Sequence, residues 1–398
     1  MHVLVAPDKF KGSLSAAEAS AALGAGWRDG WPAEEPLEIE RLPMADGGEG
    51  TAEAIHDALQ GRWVVHTVHD PVGRPVEARY ALVEHGGERM AVLEMSSASG
   101  FALVSGADRD LLHASTFGTG ELFAHALNQS GVGRVIVGIG GSATNDGGVG
   151  LAAALGYRFL DAAGCELEPV PASLEQLARI QLPVARPETP VTVACDVINP
   201  LLGPRGATRI YGPQKGLRGE VEALALEAGL TRLADVAAET FGRDFRETPG
   251  AGAAGGLGFG LLTFCRAELC PGFELVSKVV GLEAAVGRVD LVLTGEGSLD
   301  GHTLEGKTPV GVAAVARRFG KPVIAFGGRV EAKAREALHA HFDELIALAD
   351  VEPELTQAER IARGAELLRR HVGHLASRVA ETRRQKPTGS HLGFWRQR

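Results

Sequence analysis

The sequence predicts a two-domain α/β protein: one parallel α/β domain assembled from both chain ends, and a mixed α/β domain inserted between them. Three observations carry this. Strand and helix patterns alternate over residues 1–60 and return from Arg288 onward, as they do where helices connect parallel strands. Between 62 and 95, three β-like runs follow one another with no room for a helix, which reads as antiparallel sheet. At 398 residues the chain is also too long for one core to be the default. The expected boundaries are 1–62 with 275–382 for the split domain and 63–274 for the insertion. A basic, disordered tail is expected at 383–398.

Element by element, Val3 to Ala6 is a short apolar strand. Ser15 and Glu18 form a capping box that opens an Ala-rich helix to about Arg28. A strand at 37–42 and a helix at 50–59 follow. The β-runs 62–69, 75–84 and 89–95 are joined by Pro71-Val72-Gly73 and His85-Gly86-Gly87. A buried-type strand at 134–139 leads into a glycine loop, and another strand is expected at 190–194. Residues 220–241 are helical, and the glycine-rich 250–260 stretch reads as a helix start packed against other backbone. The last third predicts strands at 289–293, 322–326 and 344–348 and helices at 308–319, 331–341 and 356–380.

Composition narrows the function. Glycine accounts for 53 of 398 residues, well above the usual ~7%, as in enzymes whose loops wrap phosphates. A formal net charge of -10 argues against nucleic-acid binding. Cys165, Cys195, Cys265 and Cys270 form no CxxC pair, so reduced thiols are expected rather than a zinc site or disulfides. No apolar run reaches the ~18–20 residues of a membrane span. Residues 1–6 do not read as a signal peptide. A cytoplasmic protein is expected, as a monomer or homodimer.

Five polar loops stand out, most of them directly after an apolar strand, where open α/β sheets bind ligands. The first, Asp8-Lys9-Phe10-Lys11-Gly12-Ser13, sets two lysines beside a helix N-terminus, an anion site. Ala45-Asp46-Gly47-Gly48-Glu49-Gly50 takes the equivalent place after the second strand. Gly138–Gly148 packs five glycines with Ser142, Thr144, Asn145 and Asp146 into eleven residues. Its N–H groups suit phosphate oxygens, and Asp146 suits Mg²⁺ or a hydroxyl. The fourth loop runs from Ala194 through Asp196 to Asn199 and Pro200, with Gln214-Lys215-Gly216 beyond. In the fifth, Thr294–Asp300, Glu296 and Asp300 can share a metal, and Lys307 starts the next helix.

Two formal matches to other classes fail on context. Gly301–Thr308 fits the Walker A pattern but does not follow its strand directly. Gly138-x-Gly140-x-x-Ala143, with Asp161 downstream, imitates a dinucleotide fingerprint, and an NAD-dependent oxidoreductase of a small hydroxy acid is the second reading. The segment after Ala143 is Thr-Asn-Asp-Gly-Gly, where that fold needs a helix.

Taken together, the loops resemble the glycerate kinase type-1 family. The matching segments are APDKFKGSLSAAEA (6–19), MADGGEGT (44–51), STFGTGEL (115–122), GIGGSATNDGGVG (138–150), ACDVINPLLGPRGA (194–207), YGPQKG (211–216), PGAGAAGGLGFGL (249–261) and LTGEGSLDGHTLEGKTPVGVA (293–313). They run in the family's order, to about residue 380. His302 stands where the family usually has Gln, and the basic tail has no family counterpart. The resemblance implies a flavodoxin-like domain built from both termini and a distinct inserted α/β domain. It also implies an ATP- and Mg²⁺-dependent kinase of D-glycerate, with the 2-phosphate favoured over the 3-phosphate as product.

On that reading the expected roles are as follows. Asp196 or Asp8 takes the hydroxyl proton, with Lys11 beside it as a catalytic cation. Lys9, Ser13, Asp46, Glu49, Asn199 and Lys215 bind glycerate. Gly140, Gly141, Ser142, Thr144, Asn145 and Lys307 hold the nucleotide. Glu296, Asp300 and Asp146 hold the metal. Two domains further suggest closure over the substrates.

Overall fold

The computed structural model describes residues 1–186 and 188–385. The N-terminal segment contributes β1 (His2–Val5) and β2 (Glu38–Arg41). The middle of the chain adds β3 (Arg62–His69), β4 (Pro75–His85), β5 (Glu88–Glu94), β6 (Val132–Gly138) and β7 (Arg158–Leu160). It continues with β8 (Arg179–Gln181), β9 (Val191–Ala194) and β10 (Glu268–Cys270). The last third holds β11 (Leu291–Leu299), β12 (Val323–Val330) and β13 (Glu344–Ala347). Contacts divide the chain into two compact units, Met1–Asp46 with Phe273–Arg398, and Gly47–Gly272.

The first unit is a five-stranded parallel sheet in the order β13-β12-β11-β1-β2. Numbered within the unit, this is the doubly wound order 2-1-3-4-5. Val3, Leu4 and Val5 of β1 are all fully buried, as expected of a strand covered on both faces. On one face Val3, Val5, Leu291, Leu293, Ile324 and Phe326 pack against Leu23 and Trp27 of the helix Ala16–Gly30, and against Leu368 and Val372 of the helix Gly364–Gln385. The Ser15–Glu18 capping box opens the first of these helices as its spacing predicts. Such a cap contributes about 1 kcal/mol. Gly26 and Gly30 let the two helices touch backbone to backbone: a Cβ at either would overlap a carbonyl of Arg369 or Gly373.

The second unit is built on a six-stranded sheet, β10-β9-β6-β5-β4-β3. Its first four strands are parallel, and β5-β4-β3 form the antiparallel meander read from residues 62–95. The β4–β5 turn holds Gly86 and Gly87 at φ 58° and 81°, the left-handed pair a tight two-residue hairpin requires. Register sets Glu94, Gly138, Ala194 and Cys270 in one row at the carboxyl edge. The segments that leave those four residues therefore start side by side.

The structure departs from the sequence reading in several places. Residues 47–62 fall in the second unit rather than the first. The Glu94 carboxylate accepts the Gly50 and Ala52 N–H groups, which fastens the start of the helix Thr51–Leu59 to β5. The expected 294–300 loop is sheet: β11 continues to Leu299, with Glu296 opposite Gly327 and Ser298 opposite Arg329. The 331–341 helix is reduced to Arg335–His339, and the 356–380 helix is two, Gln357–Ala362 and Gly364–Gln385. From residue 386 the expected tail lies outside the described residues. No described helix is long and apolar enough to cross a membrane.

Replacing Gly30 with Ala drives a methyl group into the Gly373 carbonyl. The expected outcome is a loss of about 1–3 kcal/mol, read as a lower midpoint of urea unfolding. Ala at the exposed Gly12, where no atom lies within 4 Å of the added Cβ, avoids that clash and answers only to its φ of +79°.

Candidate active site

In the first unit, the strand order reverses between β1 and β11, and a doubly wound sheet opens its ligand crevice at that point. The chain leaving β1 stays beside β11: Ala6 N–H donates to Leu293 O, and Asp8 N–H to Gly295 O at 2.8 Å. Only glycine fits opposite it. A Cβ at Gly297 would lie 2.8 Å from Lys11 N, and one at Gly295 would overlap the Phe326 carbonyl. Asp8 and Glu296 are thereby set on the two sides of the crevice.

Asp8 is 5% exposed. Its carboxylate accepts the Lys9 N–H at 2.6 Å and the Thr308 hydroxyl at 2.6 Å. Burial, with repulsion from Asp46, still raises its pKa to about 6. Glu296 accepts the Thr303 hydroxyl. Burial raises its pKa to about 7, helped by the negative charges of Asp8 and Asp300 and opposed by Thr303 and Lys307. Asp300 caps the short turn Gly301–Glu305 through the His302 N–H, and its own N–H donates to Thr303 Oγ1. A single chain of hydrogen bonds thus runs from Asp300 N through Thr303 to Glu296. Lys307 occupies the N-cap of the helix Thr308–Arg318. Lys9 is half-buried and Lys11 exposed on the same loop. Ser13 donates to the Ile361 carbonyl at 2.6 Å, so it ties its loop to the C-terminal helices instead of facing a ligand.

In the second unit, the Gly138–Gly148 loop leaves β6 and packs on the glycine-rich helix Ala253–Phe264. Gly147 N–H donates to Gly255 O at 3.0 Å, and a Cβ at Gly255 would overlap the Thr144 carbonyl. Gly140 and Gly141, half-buried and exposed, form the open rim of the loop, with Ser142 just inside it at 8% exposure.

Thr144, Asn145 and Asp146 are fully buried, against the expectation that they meet nucleotide or metal. Asp146 is a loop anchor. Its Oδ2 accepts Thr116 N–H at 2.8 Å, the Thr116 hydroxyl at 2.7 Å and Gly150 N–H at 3.2 Å, and its Oδ1 accepts Gly148 N–H at 3.0 Å. Burial pushes its pKa up, while these donors favour the ionised form. Asn145 Nδ2 donates to Thr208 Oγ1 at 2.9 Å. Lys215, expected to bind substrate, is 4% exposed, and its Nζ donates to Ser142 Oγ and to the Thr144 carbonyl at 2.8 Å. Burial lowers its pKa to about 7, opposed by the charge of Asp146.

Asn199 is held by the Tyr211 hydroxyl at 2.7 Å and itself donates to Arg205 O at 2.8 Å. Asp196 is exposed and accepts Gly272 N–H at 2.7 Å. Asp46 is half-buried in the first unit, and Glu49 is exposed in the second. Sequence reasoning did not single out Thr116, Thr303, Thr308 or Glu94. Thr308 could have been found as the last residue of the Walker-like match. Thr116 and Glu94 carry no local signal, because their partners lie far along the chain, whereas Thr303 bonds residues only three and seven positions away.

Comparison with known proteins gives one consistent result. A profile of the glycerate kinase family matches residues 3–380. A glycerate kinase of Bacillus subtilis (strain 168) is 42% identical over 382 residues, covering 95% of this chain and 98% of that protein. A glycerate 2-kinase of Escherichia coli (strain K12) is 43% identical over 331 residues, covering 82% and 85%. A crystal structure of a protein provisionally named glycerate kinase 2, from Salmonella typhimurium LT2, superposes with a TM-score of 0.82 at 39% identity. It covers 98% of this chain and 100% of that one.

The state of Glu296 can be read in stability. Its pKa is raised from 4.5 to about 7, so in that window the folded protein keeps a proton that the unfolded chain has released. Stability from this group is present below about pH 4.5 and is lost as pH rises through about 7. Glu296→Gln is therefore expected to stabilise the protein at pH 8 by roughly 1–3 kcal/mol, with no gain at pH 4. Urea unfolding in EDTA at the two pH values is the check.

Proposed function

Because this chain belongs to the glycerate kinase family, a family of phosphotransferases acting on an alcohol group, we propose that it moves the γ-phosphoryl group of ATP to the 2-hydroxyl of D-glycerate. The observation that carries the site assignment is the pair Asp8, buried, and Glu296, half-buried, at the switch point of the parallel sheet, both with raised pKa values. Phosphoryl transfer needs alignment and charge neutralisation more than covalent help.

In this reading Asp8 takes the proton of the attacking hydroxyl. A pKa of about 6 keeps it ionised at neutral pH, yet basic enough to accept. Thr308 and the Lys9 N–H hold its carboxylate in one orientation. In the first unit, Lys9, Lys11 and Lys307 offset the charge of the glycerate carboxylate. In the second unit, Gly140, Gly141 and Ser142 form the rim that receives phosphate oxygens, while Lys215 and Asp146 keep that rim in shape. Asp196, exposed and engaged by Gly272 N–H, is the weaker candidate for the base.

The residues present fit a magnesium ion. Glu296 carries a carboxylate whose ionisation is resisted by burial and by Asp8 and Asp300, a repulsion that a cation relieves. Among the described residues no three His, Cys, Asp or Glu side chains converge as a ready-made cage. That suits Mg²⁺, which takes one or two carboxylates and completes its shell with water and phosphate oxygens. Glu296 and Asp300 would hold it, and when bound it supplies charge neutralisation of the phosphates. With ATP as donor, we place the enzyme in the cytoplasm. The dinucleotide alternative has no support: the 139–148 segment runs as a loop before the helix Val149–Ala154, where that fold starts its helix at once.

Proton-coupled ³¹P NMR of the protein with ATP, Mg²⁺ and D-glycerate should show a new phosphomonoester doublet, from the single proton on C2. A triplet would move the product to the 3-phosphate, and no new signal would overturn the substrate assignment. Asp8→Asn should lower kcat by about 10²-fold or more with KM little changed. The wild type should lose activity as pH falls through about 6, where Asp8 becomes protonated. An unchanged kcat in Asp8→Asn would remove it from the role.

A further inference from the structure

The second unit holds a cation that the scheme above does not use. Arg109 is half-buried, and among the described residues its guanidinium makes no hydrogen bond and no ion pair; its Nε is buried without an acceptor. Other arginines of the second unit are matched to carboxylates, as Arg209 is to Glu220 and Arg246 to Asp235. Arg109 instead lies over Phe101, its guanidinium carbon 3.7 Å from the ring centroid. Its carbon stem lies against Gly216, where an added Cβ would come within 3.0 Å of Arg109 Cβ and 3.6 Å of Cδ.

Both supports of this side chain are tied to the glycine loop. Phe101 N–H donates to Gly141 O at 2.8 Å, and Gly100 bridges Ser142. Gly216 follows Lys215, whose ammonium is spent on Ser142 Oγ and the Thr144 carbonyl. The loop rim is therefore flanked by a guanidinium held in place by packing alone, with its donors unclaimed. Such a fork, always charged and preorganised, suits the oxygens of a phosphate group.

We infer that Arg109 is a phosphate-binding residue, and that with the Gly140–Ser142 rim it receives the polyphosphate of the nucleotide. The inference rests on the phosphotransfer reading for the identity of its ligand, and on the packing of Arg109 for its location.

The test is calorimetric titration of the full-length protein with ADP and Mg²⁺, and with adenosine as a probe lacking phosphate. R109A should weaken ADP binding at least tenfold and leave adenosine affinity unchanged. R109Q, which keeps most of the stem against Gly216, should show the same loss and guards against misfolding of R109A. In turnover, the ATP KM should rise in both variants while the glycerate KM stays within about twofold. Wild-type affinity for ADP in either folded variant would overturn the inference, as would failure of the wild type to bind ADP. ADP binding that depends on Arg109, without turnover of glycerate, would sink the substrate assignment and leave the phosphate site standing.

Discussion

The Asp146 carboxylate is the constraint on which the phosphate loop depends. An isolated carboxylate with no exposure to water would cost several kcal/mol. Here Thr116, Gly148 and Gly150 present four donors to it, and Lys215 adds opposite charge. Each donor comes from a backbone turn that must be in place for the charge to be tolerated. The carboxylate therefore specifies the course of residues 146–150 and their docking on the chain at Thr116. Losing one partner would leave a buried charge unsatisfied, which is far more costly than the bond itself.

Where Asp146 is fully satisfied, Asp8 and Glu296 are not. Each accepts fewer donors, and each sits near other carboxylates in a crevice of the parallel sheet. The two units thus treat buried acids in opposite ways. One uses its acid to hold shape, and the other keeps its acids short of partners. Carboxylates kept short of partners cost stability, as functional groups commonly do. They also remain available to a proton or a cation, which is what transfer chemistry asks of them.

Much of the fold was legible in the sequence because it depends on local signals. The Ser15–Glu18 capping box, the 62–95 meander and the 220–241 helix all rest on residues close in the chain. The glycine loops were legible as well, since a backbone-on-backbone contact such as Gly255 on Thr144 admits no other residue. The split of the helix near Arg363 and the extension of β11 to Leu299 were not. The first turns on docking and the second on pairing with β12, and both partners are set by tertiary structure. The docking of residues 50–52 onto β5 uses the acceptor Glu94, which no local pattern marks as a partner of a helix about forty residues earlier.

The site residues divide along the same line. Sequence reasoning can say that Asp146, Asp8 and Glu296 are acids among glycines, and it gave all three a role in chemistry. It cannot count the donors each will meet, because Thr116 and Thr308 are brought to them by the fold and Thr303 by the turn that follows β11. The count decides the role: an acid with four donors becomes structure, and an acid with one or two remains reactive. The same accounting applies to the cations. Lys215 looked like a ligand-binding lysine and is consumed inside the loop, whereas Arg109 carried no motif and keeps its donors unclaimed.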